Sequence, residues 1–152
     1  MSDLFGNHEV RALSWKQPYA SLMLHGKIET RKWPTKYRGL VLICASKTGY
    51  KFEVINNQIS GSKQCDRIWL TLECERFKDL PSGQAIALGE LVDCRKMRPE
   101  DEDACFVKYN PDLWCHIYRN VRAIQPFDYK GSQGWRKITN DLSIINQIRP
   151  SK

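Results

Sequence analysis

The chain has 152 residues, 41% of them hydrophobic and 27% charged, which suits one domain with a real core and excludes a disordered chain. Lys and Arg number 24 against 17 Asp and Glu, and the net charge of +7 favours polyanionic partners without the lopsidedness of a ribosomal or histone-like protein. Six cysteines at 44, 65, 74, 94, 105 and 115 form no CxxC pair, and His8, His25 and His116 complete no zinc ligand set, so neither a metal nor a cofactor is expected. No apolar stretch is long enough to span a bilayer, and MSDLFGNHEV lacks the basic start and apolar run of a secretory signal. The expectation is a cytoplasmic protein with reduced thiols and no membrane partner, its Cys44 a small core hydrophobe.

Residues 1–9 read as a loose lead-in. A short strand around Arg11–Ser14 follows, then a helix that Pro18 opens and Gly26 stops, with Tyr19, Leu22 and Met23 at helical spacing. LVLICAS (40–46) is a buried strand by length and by its Val and Ile content. Phe52, Ile55 and Ile59 have helical spacing up to the Ser-Gly-Ser run at 60–62, and IWLTLEC (68–74) reads as a strand. A turn at 79–83 leads into a long strand over 84–94, with Gly89 a candidate bulge. Pro99 opens a helix whose leading acids at 100–103 oppose the helix dipole. Another strand lies within 113–127, a turn and strand occupy 129–138, and 139–148 suits a short capped helix. Short strands with only short helices between them predict a mainly β, α+β domain: a small closed or nearly closed barrel with short peripheral helices.

The chemically richest stretch is HGKIETRKWPTKYRG (25–39). Lys27, Arg31, Lys32, Lys36 and Arg38 supply cations, Trp33 and Tyr37 supply flat rings, and Glu29 is the one acid. Cations attract phosphates and aromatic faces stack bases, so the stretch reads first as a nucleic-acid or nucleotide site. The plainer reading is an exposed basic turn anchored by core aromatics. Trp15, at a strand-to-helix joint, fits the core better than a ligand stack, and Trp33 before Pro34 either enters a cleft or caps the barrel. Trp69, Trp114 and Trp135 sit in strand-like apolar runs and read as core, and His116 reads as a hydrogen-bonded strand histidine.

ALSWKQPYASLMLHGK, ETRKWPTKYRGLVLICAS, GQAIALGELVDC and FDYKGSQGWRKI together resemble the ASCH domain family of the PUA-like superfamily, in the family's order and over residues 11–138. The resemblance implies a single domain over 10–148, a PUA-like β-barrel whose cleft floor carries the E-x-R pair, and binding of RNA or a (modified) nucleoside. The usual cleft motif is G-x-K-x-x-E-x-R. Its last two charged positions fall on Glu29 and Arg31, which puts Gly26 where lysine is expected; Lys27 takes the lysine's place only with a turn one residue shorter. Tyr129 and Lys130 would line the same cleft.

As a binder, Glu29 would accept from an exocyclic amine, Arg31 would offer a planar fork of donors, and Trp33 would stack on the base. Lys36 and Arg38 would hold phosphate. The alternative is a small amidohydrolase acting on N4-acylated cytidines, after the branch of the family that uses the lysine with a threonine at the Glu29 position and a glutamate from further along. Lys27 and Glu29 would then be catalytic, with Glu90 or the acids at 100–103 as third member; Thr30, next door on a strand, would face the other side. A simple Lys27–Glu29 ion pair is the plain counterpart of that reading. Ribonuclease chemistry through Lys27 and Arg31 is weaker, since His25 has no histidine partner.

Overall fold

The computed structural model describes residues 9–47, 63–73 and 80–151. Strand β1 (Val10–Trp15) alternates its side chains strictly: Val10 and Ala12 enter one core, Leu13 and Trp15 another. Strand β3 (Gly39–Ala45) does the same, with Leu42 and Cys44 on the first side and Val41, Ile43 and Ala45 on the second. A strand buried on both faces reads as an unbroken apolar run, which is why VLICA is so legible. Between them lie helix α1 (Tyr19–Leu22), a 3₁₀ turn over Met23–His25, and strand β2 (Glu29–Arg31). Gln17 fixes the start of α1, its Oε1 accepting from Ser21 N at 3.0 Å and its Nε2 donating to Ser21 Oγ at 2.8 Å. Gly26, at φ +83°, ends the turn in the left-handed conformation that favours glycine.

Helix α2 (Lys63–Leu72) overturns the strand expected at 68–74. Gln64 and Ile68 are buried four residues apart, Ile68 against Leu22 and Phe106, while Asp66 and Leu70 face solvent. Its Trp69 packs half-buried at the edge of that cluster, on a helix and not on a strand. The helix expected over Phe52–Ile59 lies outside the described residues.

Strand β4 (Gln84–Lys96) and strand β5 (Trp114–Asp128) form the long antiparallel pair of the sheet. Their register shifts three times, once across Gly89, where a Cβ would stand 2.9 Å from Val121 Cγ2. Between them a 3₁₀ turn at Pro99–Asp101 runs into helix α3 (Glu102–Cys105), shorter than the acid run suggests because Phe106 turns left-handed at φ 57°. Residues 129–135 are loop, and the strand expected there shrinks to β6 (Arg136–Lys137). Helix α4 (Leu142–Ile145) then packs Ile144 and Ile145 on the first core.

The sheet order is β2-β5-β4-β3-β1-β6, with β1 and β3 parallel and every other pair antiparallel. It curls into a half-barrel with few, short helices, the barrel-like architecture expected from the short strands. Its outer strands do not pair, so the barrel is not closed by a ladder. Among the described residues no helix is long and apolar enough to cross a membrane.

Candidate functional site

Parallel pairing puts the C-terminal ends of β1 and β3 at one end of the sheet, with Trp15 opposite Ala45. Antiparallel pairing brings the start of β4 and the end of β5 to that same end, Ala45 opposite Gln84 and Gln84 opposite Asp128. Strand β2 pairs at the far end of β5, with Glu29 opposite His116. Curling of the sheet folds β2 back over β1, where Arg31 Nη2 donates to Ser14 O at 3.0 Å. A side chain thus joins what no ladder joins, and a cleft of about 1410 Å3 opens between the two edges.

Lys27, Glu29 and Arg31 lie together at its floor. Lys27 Nζ donates to Glu29 Oε1 at 2.8 Å and to Ile28 O at 3.0 Å, and stands 5.1 Å from the centre of the Tyr19 ring. Arg31 Nε donates to Glu29 Oε2 at 2.9 Å. The Lys27 side chain is 1% exposed, Glu29 7% and Arg31 21%. Burial pushes the Glu29 carboxyl up, but the adjacent ammonium and guanidinium outweigh it and hold the carboxyl below its ordinary value. The left-handed Gly26 ends the 3₁₀ turn directly before Lys27.

Arg31 is flanked by rings, its Cζ 5.1 Å from the Trp15 centroid and 5.9 Å from that of Trp33. Trp33 lines the cleft, held edge-on by His116 at 5.0 Å and by Trp135 at 6.0 Å. His116 is fully buried, and Nε2 lies 2.9 Å from Trp33 O; a carbonyl partner makes that nitrogen the donor. Trp15 packs edge-on against Tyr118 at 5.9 Å, serving both the core and the cleft wall. Four buried polar atoms of this aromatic group, Trp15 Nε1, Trp135 Nε1, Tyr118 Oη and His116 Nδ1, have no hydrogen-bond partner among the described residues. Unpaired polar atoms gathered this way cost stability, and such departures gather where sequence serves a site.

The other predicted residues divide. Tyr129 and Lys130 line the cleft, as does Thr30. Lys36 and Arg38 are exposed and outside its lining; Arg38 Nη1 folds back to donate to Thr35 O at 2.9 Å and Tyr37 O at 2.8 Å. Glu90 accepts from Arg119 Nε at 2.7 Å, Asp101 is clamped by both terminal nitrogens of Arg95, and Glu102 accepts from Tyr109 N, so none of these acids reaches Lys27. His25 is exposed and does not line the cleft. Sequence reasoning missed Lys16, Lys47 and Asp128 as cleft residues, because only the sheet register brings them to one end. Among the described residues no His, Cys, Asp or Glu side chains gather in threes at a spacing that would hold a metal.

The family model for the ASCH domain matches residues 13–132. The chain belongs to the ASCH domain family. The crystal structure of ASCH from Zymomonas mobilis superposes with a TM-score of 0.59 at 9% identity, covering 94% of this chain and 98% of that one. At that identity the likeness establishes the fold of this ASCH domain and not its ligand. No curated protein matches the sequence. The matched span runs from the second half of β1 through β5, and takes in the floor trio and the start of the loop that follows β5.

Proposed function

We propose that this ASCH domain binds RNA or a (modified) nucleoside, reading the base at the cleft floor. The supporting observation is how Lys27 is committed: its buried ammonium is engaged by a carboxylate, a carbonyl and a ring face, all of which are partners for a cation. A hydrolytic lysine needs a lone pair aimed at the substrate, which an ammonium held by these three partners does not present. Lys27 instead fixes Glu29, whose oxygens retain lone pairs for an exocyclic amine.

Arg31 is the reader. Its Nη1 carries no hydrogen bond to a described residue, its head is partly exposed to the cleft, and Trp33 beside it offers a stacking face. Lys36 and Arg38 would touch phosphates of a strand leaving the cleft across the loop between β2 and β3. The test is Arg31→Ala, with affinity for ribonucleosides and short oligoribonucleotides measured by calorimetry and folding checked by circular dichroism. Losing one charge-assisted contact predicts a fall of about 10-fold to 100-fold in a folded variant. Unchanged affinity overturns the assignment, and Lys27-dependent deacetylation of N4-acetylcytidine would replace the reader by a hydrolase.

A further inference from the structure

We infer that the mouth of the cleft is a phosphate subsite built on Lys47 and Lys130, so that the ligand is a phosphate ester of a nucleoside and not a free nucleoside. This rests on the base-reading function proposed for the floor and adds the ligand's other half. The floor is nearly self-contained electrostatically, since Glu29 is shared by Lys27 and Arg31. Elsewhere the described lining of the cleft includes Lys32, Lys47 and Lys130, with Asp128 as its acid.

Lys32, Lys47 and Lys130 form no ion pair with any described residue, and all three are exposed. Lysines that converge without counter-charges repel one another and weaken the fold, a cost that an incoming dianion reverses. Two of them stand on neighbouring backbone. Lys47 lies with its stem across Gly83, where a Cβ would stand 2.9 Å from Lys47 Cγ. The carbonyl of that same Gly83 accepts from Tyr129 N at 3.0 Å. Tyr129 is buried, with Arg136 over its ring at 5.7 Å, and Lys130 is the next residue.

Gly83 therefore ties both lysines to one point of backbone at the end of β3 and β5. Beyond Lys130 the chain presses Gly131 against Ser14, so close that any Cβ there would collide with the Ser14 hydroxyl. That contact lays Ser132 and Gln133 along the mouth, adding neutral donors to the two ammoniums. The cations that the sequence stretch 25–39 offers for phosphate, Lys36 and Arg38, lie outside the cleft. A base on Arg31 would thus direct its sugar and phosphate toward Lys47 and Lys130 at the open end.

The experiment is calorimetry at low salt with the four ribonucleosides, their 5′-monophosphates, inorganic phosphate and short oligoribonucleotides lacking a terminal phosphate. Lys47→Ala/Lys130→Ala is the test variant, and Lys108→Ala/Lys137→Ala, two exposed lysines outside the cleft, removes the same charge elsewhere. Two charge-assisted contacts at an exposed site predict a gain of at least about tenfold for the monophosphate over its nucleoside. The test variant loses that gain and the control variant keeps it. A gain shown by oligonucleotides as well supports an internal phosphodiester as the occupant; one confined to monophosphates supports a terminal phosphate. Equal affinity for nucleoside and monophosphate overturns the subsite and leaves the base reading standing. Monophosphate and inorganic phosphate binding alike, with no nucleoside bound, overturns the base reading and keeps the subsite. No binding of any probe overturns both.

Discussion

Lys27 and Glu29 form the most deeply buried ion pair among the described residues, and each would be expensive to leave behind without the other. Lys27→Met keeps the aliphatic volume but strands the Glu29 carboxylate with Arg31 as its remaining ionic partner. The expected loss is about 3 kcal/mol by urea unfolding, the low end for breaking a buried pair because one cation remains. A loss below about 1 kcal/mol would mean that water replaces the ammonium and that the floor is wetter than its burial indicates. The charged members of this site were legible in sequence, since E-x-R on a strand puts both side chains on one face and Gly26 allows a tight turn before Lys27. What held Trp33 in place was not legible: His116 lies 83 residues away, and spacing says nothing about a partner across a ladder.

At the scale of elements, the loop after β5 lines the cleft, and its Gly131 lies tight against Ser14 of β1. Gly131→Ala forces either the loop outward or the Ser14 side chain out of its rotamer, at a cost of about 1 kcal/mol. Ser14→Ala removes the obstructing hydroxyl, so the double variant should recover most of that loss in a double-mutant cycle. Additive effects would show that the collision is relieved elsewhere along the loop. The same scale shows why the strands read well and one helix did not. The runs in β1, β3 and β4 are too apolar to be anything but buried, whereas IWLTLEC has the aromatic and β-branched content of a strand. Its decisive feature is the four-residue step from Gln64 to Ile68, with Leu70 left 80% exposed, and that step starts upstream of the apolar run.

For the whole molecule, curling of the sheet is what joins floor to mouth, and no sequence period encodes it: β2 and β1 are four places apart in the sheet order yet meet through Arg31 and Ser14 O. Stability should therefore track the charge state of the groups packed where the edges meet. Burial pushes the His116 imidazole below its ordinary 6.5; the Trp33 carbonyl and the Glu29 charge oppose this, Arg31 and Arg38 reinforce it, and the net direction is down. The unfolded chain takes up that proton near 6.5 while the folded chain resists it, so stability falls as pH drops below 6.5. Glu29 acts in the same sense at lower pH: the unfolded carboxyl protonates near 4.5 and the folded one only below that, so its contribution is lost on further acidification. Urea unfolding followed from about pH 8 to about pH 3 should show a decline in two stages. His116→Gln, whose amide can still donate to Trp33 O, should flatten the first stage and leave the second. A first stage that persists in His116→Gln would move it to another group. The junction of the two edges would then not be what acid attacks first.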